Sequence, residues 1–305
     1  IIFGILFGFA AVVTFIGTWE KVKPPVKTKL RDSFSEASSV LRSRSFKIFI
    51  GIYLSGQCAM DFVSGMAIYY VDDVLGGYDK GYLTMLMGVL LSSQLVGMII
   101  FTPIMTRTSK RTTILIGAPI RLASTLGLLA FSYAGAPIVP VLLLSAGVGI
   151  GNAATLTSIF AILSDMADID ELITSTRRPG IVSGMATFAR KISAGLSVWF
   201  IGILLSLVGY DAKLAHSGVN QAFTTQRGIA MIFIVIPAIL VVLLLIFGYI
   251  FPITNKEFDI VKKEIGRRRG TDGSIASDDE KRILERVTGF KYEDLWNVSN
   301  EHKVK

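Results

Sequence analysis

Cysteine is all but missing from this chain. Cys58 is the single thiol among 305 residues, so no intrachain disulfide forms and a cysteine-based zinc site is excluded. The thiol falls inside an apolar run and reads as a packed core residue. Histidine is almost as scarce: His216 and His302 lie too far apart in sequence to suggest a metal site. Charge is thin, at 18% of residues, against about 25% in an ordinary soluble domain. The motifs of common enzyme classes are missing too. There is no Walker loop, no G-x-S-x-G and no H-E-x-x-H, so nothing marks a nucleotide hydrolase, an esterase or a zinc protease. The chain reads as no enzyme, with no cofactor of its own.

What is present is apolar length. Hydrophobic residues make up 51% of the sequence. Six runs, near 47–71, 82–104, 112–133, 138–163, 181–208 and 227–252, are long enough to cross a bilayer as helices. A seventh, 1–18, reads as the end of a truncated span. It has neither the basic n-region nor the small-residue cleavage site of a signal peptide. The expectation is therefore an all-α membrane protein, and a piece of a longer one.

The net charge of +8 raises nucleic acid as a partner, but its distribution points to the positive-inside bias instead. Lys21, Lys23, Lys27, Lys29, Arg31, Arg42, Arg44 and Lys47 crowd the 19–47 segment. Arg107, Lys110 and Arg111 follow in the next loop on that side, then Arg177 and Arg178. The alternate loops hold only Lys80, Lys213 and Arg227. These rules place the basic loops and the C-terminus in the cytoplasm, with the protein multi-pass in the cell membrane. No nucleic-acid partner is expected.

The organisation then reads as four parts. Residues 1–18 end a preceding span. The linker 19–46 carries Leu30, Phe34, Ala37 and Leu41 on one stripe of a basic helix lying along the membrane surface. Residues 47–252 form a six-helix transmembrane bundle. The tail, 253–305, is soluble and cytoplasmic. It has a helix bearing Phe258, Val261 and Ile265, and a second opened by a Ser277–Glu280 capping box. Gly147, Gly149 and Gly151, and likewise Gly195 and Gly202, read as small residues for close helix packing. The 227–252 span reads as lipid-facing scaffold.

Charges inside spans are costly, and so mark function. Lys191 lies about 15 Å into its helix if that helix starts near Ile181, too deep to snorkel. It lines a cavity or makes an interhelical ion pair. Arg190 points about 100° away from it and need not share its partner. Asp61 can bond sugar hydroxyls or pair with Lys191 or Arg121. Gln94, Asn152, Thr155 and Thr187 are mid-span polar groups whose alternatives are substrate contact and interhelical hydrogen bonding. Thr187 shares the Lys191 face, one turn earlier. At the cytoplasmic mouth, Asp165, Asp168 and Glu171 recur at spacing three and Arg177 follows. Acids at a helix C-terminus oppose the dipole and need cations. Bonds that form in one state and break in another would make a gate, and the alternative is a solvated loop.

The spacing Asp165-x2-Asp168-x2-Glu171-x5-Arg177, with Lys191 fourteen residues on, resembles the signature of the glycoside–pentoside–hexuronide:cation symporters. This is the melibiose permease-like group of the major facilitator superfamily. Weaker matches are Ala67–Gly76, the Arg107–Arg111 loop, and Phe251–Thr254 leading into Phe258–Ile265. The resemblance covers nearly all of 1–270. It implies the major facilitator fold, with residues 1–18 as the end of helix six and the rest as the C-terminal six-helix bundle. It also implies alternating access to a midplane site. Lys191 and Thr187 match positions near the sugar, while Ala186 departs from a glutamine found in the group. The implied function is symport of a sugar or glycoside with Na+ or H+. The substrate side rests on Lys191, Thr187, Asp61 and Gln94, and the inner gate on Asp165, Asp168, Glu171 and Arg177. The cation site is expected in the other half of the protein. The alternatives are a lipid or drug carrier on the same fold, and a membrane sugar sensor or scaffold that moves nothing.

Overall fold

The computed structural model describes residues 2–17, 38–77, 80–216 and 220–296. The chain divides into two compact units, Ile1–Glu36 and Ala37–Lys305. The first contains α1 (Ile2–Gly17), an uncharged helix with Phe7, Phe9 and Phe15 exposed. Most of the surface helix expected over 19–46 lies outside the described residues. The last part of that stretch holds a 3-10 turn, Val40–Arg42, with Val40 buried and Leu41 exposed.

In the second unit six helices are long and apolar enough to cross a membrane, one for each expected run. They are α2 (Arg44–Tyr69), α3 (Tyr82–Arg107), α4 (Lys110–Gly127), α5 (Ile138–Thr174), α6 (Pro179–Leu207) and α8 (Phe223–Ile250), with a short α7 (Ala212–His216) before the last. Among the described residues there is no strand. Local chemistry sets the boundaries. Ser43 accepts a hydrogen bond from the Phe46 N–H at 3.4 Å and Ser109 from the Thr112 N–H at 3.0 Å, each capping a helix start. Pro179 opens α6, where its missing N–H costs nothing.

The longest helix carries the acid run at its end, as its spacing suggested, and outruns the apolar pattern. The apolar pattern ends near 163, yet α5 runs to Thr174, 37 residues in all. That length is about 55 Å against a hydrocarbon core of about 30 Å, so its acidic end projects past the bilayer as rigid helix. It stops at Ser175, a non-glycine residue with φ 58°.

Helix α5 is the hub, packing against α2, α3 and α4, while α8 packs on α2 and α4, and α6 on α2. Close approach depends on small residues. A Cβ on Gly149 would sit 2.4 Å from the Leu90 carbonyl oxygen, and one on Gly151 would sit 2.6 Å from the backbone of Arg121. Gly195 and Gly202, read as packing positions, meet nothing within 4 Å. They lie on α6, which with α3 keeps most of its surface uncovered. Helix α8 is more than lipid-facing scaffold. Its Ile229, Phe233, Ile234, Val241 and Leu244 are buried, while Met231, Ile239 and Tyr249 on the other side are exposed.

The tail folds as two helices, α9 (Asn255–Arg268) and α10 (Asp278–Thr288), each with a capping box. They join the bundle's own core. Val261, Ile265, Leu284 and Val287 pack with Phe46 and Phe49 of α2 and with Ile169 and Leu172 of α5. Polar ties reinforce this: Ser45 Oγ donates to the Val287 carbonyl at 2.5 Å, and the Trp296 N–H donates to the Leu172 carbonyl at 3.0 Å.

Candidate functional site

Helix α6 buries a stripe of Val182, Ala186, Ser197, Ile201 and Leu205. Arg190 falls on that stripe, four residues after Ala186, and so faces α2. Its guanidinium meets the Asp61 carboxylate in a two-point clasp, Nη1 to Oδ2 and Nη2 to Oδ1, both at 2.7 Å. This fork-to-fork geometry is among the stronger charge pairings. About a quarter of each side chain remains accessible. Of the partners weighed for Asp61, neither Lys191 nor Arg121 holds it. The residue set aside does, and the packing period of α6 was the signal that would have found it.

Lys191 turns off the stripe and is exposed, as is Thr187 one turn before it. Neither has a hydrogen-bond or ion-pair partner among the described residues. They share the uncovered face of α6 with Phe188, Ile192 and Leu196.

A third cluster ties α4, α5 and α3 together. Arg121 is wholly buried. Its Nη1 donates to Asn152 Oδ1 at 2.8 Å and to the Gly56 carbonyl at 3.2 Å. Asn152 Nδ2 donates on to Gln94 Oε1 at 3.0 Å. Among the described residues Arg121 Nε and Nη2 have no hydrogen-bond partner, and no carboxylate pairs with this residue. Gln94 is thus placed beside a buried cation. Thr155 turns back on its own helix, to the Gly151 carbonyl at 3.4 Å.

At the end of α5 each expected acid has a cation. Asp165 pairs with Lys110, Asp168 with Arg177 at 3.3 Å, and Glu171 accepts from Arg269 Nε at 2.8 Å. Sequence reasoning missed Asp170, which takes a two-point pair from Arg178 at 2.8 and 3.0 Å. It also missed Arg269, because that partner comes from the tail, 98 residues away in sequence. Asp165, Asp170 and Glu171 are all nearly fully buried. Arg177 is largely exposed, so its pair contributes little, about 0–1 kcal/mol. A polar cavity of about 230 Å³ lies between this end of α5 and α9, lined by Asp168, Glu171, Arg177, Lys262 and Arg269 among others. Among the described residues no group of three or more His, Cys, Asp or Glu is placed to hold a metal ion.

The family model described as MFS/sugar transport protein matches residues 1–255. The chain belongs to that family. The fold is accordingly an all-α major facilitator membrane protein. Its relatives include the glucuronide carrier protein homolog of Escherichia coli (strain K12), 29% identical over 71% of this chain and 46% of the relative. An uncharacterized symporter of Synechocystis is 21% identical over 88% of this chain and 49% of its own length. A putative sulfoquinovose importer of Salmonella typhimurium is 29% identical over 42% of this chain and 26% of the relative. The chain spans half or less of the length of these relatives.

Proposed function

We propose that this chain forms the C-terminal half of a cation-coupled sugar symporter that works by alternating access, and that its substrate is a sugar carrying a negative charge. The observation that carries the reading is the charge balance inside the spans. Well inside the six apolar runs there are three cations, Arg121, Arg190 and Lys191, and one carboxylate, Asp61. Arg190 takes the carboxylate. Lys191 and Arg121 are left with no carboxylate among the described residues, and charges at that depth are costly unless something answers them. An acidic sugar supplies such an answer. Two relatives are named for substrates of that type, a glucuronide with its carboxylate and sulfoquinovose with its sulfonate.

In this scheme Lys191 and Thr187 meet the substrate from the uncovered face of α6, with Gln94 contributing from α3. Asp61 acts through Arg190, holding α2 against α6 beside Lys191. The pairs around Asp165, Asp168, Glu171 and Arg177 close the cytoplasmic mouth, and the C-terminus lies inside the cell. The coupling ion, Na+ or H+, binds in the other half. The protein acts as a carrier, with no covalent chemistry and no cofactor.

The test is uptake of labelled glucuronides and neutral glycosides by the complete gene product in membrane vesicles, with a sodium gradient, a proton gradient or neither. Gradient-dependent accumulation of an acidic sugar is expected, and its loss in Lys191→Ala. Binding with no accumulation under any gradient would refute symport and favour a sensor.

A further inference from the structure

Arginine can only donate hydrogen bonds. That one fact orients a whole chain of amides. Arg121 Nη1 donates to Asn152, so Asn152 must offer its oxygen there and turn its NH2 toward Gln94. Asn152 Nδ2 then donates to Gln94 Oε1, so Gln94 turns its oxygen inward and its own NH2 outward. Gln94 is partly exposed, and its Nε2 has no partner among the described residues. Arg121 and Asn152 are 0% and 5% exposed, so water does not compete for the bond between them, and the Asn152–Gln94 bond is part-buried. Nor, among the described residues, does a carboxylate neutralise the guanidinium or any group partner its Nε and Nη2.

We propose that Arg121 and Asn152 are positioning residues that lock Gln94 as an outward hydrogen-bond donor, and that this donor reads an anionic oxygen, carboxylate or sulfonate, on the transported sugar. The inference rests on the transport reading above and assigns the recognition of the negative charge to a relay of three helices. A free glutamine shows either end of its amide and accepts or donates alike. A locked one keeps its oxygen turned to Asn152 and shows its NH2 outward. With an uncompensated cation behind it, it favours a charged acceptor over a hydroxyl, because bonds to ionised acceptors are about twice as strong as neutral ones.

The relay can be reversed without emptying it. Asn152→Asp leaves Arg121 an acceptor, now an ion pair, but removes the NH2 that held Gln94 Oε1. Gln94 must then turn its own NH2 inward and show its oxygen. Gln94→Glu puts an acceptor outward directly. Both variants of the complete gene product would be titrated with p-nitrophenyl glucuronide and p-nitrophenyl glucoside by calorimetry, and assayed for uptake of both in proteoliposomes. A loss of one charge-assisted bond corresponds to about tenfold or more in Kd. The expected result is that scale of weakening for the glucuronide, much less for the glucoside, with the Asn152→Asp melting temperature equal to or above that of the parent. A merely structural relay would move stability and leave the ratio of the two affinities alone. An unchanged ratio in Asn152→Asp overturns the proposal, as does a parent protein that binds the glucoside as tightly as the glucuronide. Selective weakening with no uptake by any form would uphold the locked donor and defeat symport.

Discussion

Asp61 and Arg190 show how a single residue's meaning depends on the face it occupies. Adjacent residues on a helix diverge by about 100°, so Arg190 and Lys191 are near neighbours in sequence with different tasks. One is bound to α2 through a carboxylate and the other stands clear on the open face. Removing one member of the pair strands the other at membrane depth. Asp61→Asn alone is therefore expected to destabilise more than Asp61→Asn combined with Arg190→Gln. A double-mutant cycle from unfolding in detergent should give a coupling of about 1–3 kcal/mol, and a value near zero would show that the clasp holds nothing. Arg190 escaped a reading based on depth alone, since both residues are equally deep. The repeat Val182, Ala186, Arg190 separates them.

At the scale of elements, the tail helices were legible because their start signals are local. Ser277 and Glu280 answer each other's backbone groups whatever surrounds them: the Glu280 N–H donates to Ser277 Oγ at 3.2 Å and Glu280 Oε2 accepts from the Ser277 N–H at 3.1 Å. Ser277→Ala should cost α10 about 1 kcal/mol, read as faster amide exchange over 278–288. Glu280 also takes the Arg267 guanidinium at 2.7 Å. That bond, with the Ser277 N–H, pulls its carboxyl down from 4.5 to about 2. A depressed carboxylate stabilises the folded state above its unfolded pKa and loses that contribution as pH falls through the folded one. The α9–α10 contact should therefore loosen between about pH 4.5 and pH 2, and Glu280→Gln should flatten that dependence. The partners at the end of α5 were not legible in the same way. Beyond residue 163 the apolar pattern gives way to acids, and the chain stays helical because Lys110, Arg178 and Arg269 neutralise them from three other places.

For the molecule as a whole, the tail belongs to the bundle's core. Arg269 joins α9's end to Glu171, and the apolar side chains of α9 and α10 cover the N-terminal end of α2 and the C-terminal end of α5. Arg269→Ala leaves Glu171 buried without its cation, a situation costing about 3–5 kcal/mol when the remaining charge is fully enclosed. Hydrogen exchange should accelerate together over 169–174 and 255–268, with little change in α3. Acceleration confined to α9 would mean that the tail is only appended.

Composition and period alone determined that this chain is helical, that six of its segments suit a bilayer, and which faces of the tail are apolar. These are local properties, set by hydropathy and by 3.6 residues per turn. The acid–arginine–lysine spacing also pointed to the right family. Tertiary structure decided the partners: Asp61 with Arg190, Glu171 with Arg269, and Gln94 with Asn152 and Arg121. A charge or amide inside a bundle is satisfied by whichever helix happens to face it, and that depends on the rotation and crossing of helices far apart in sequence.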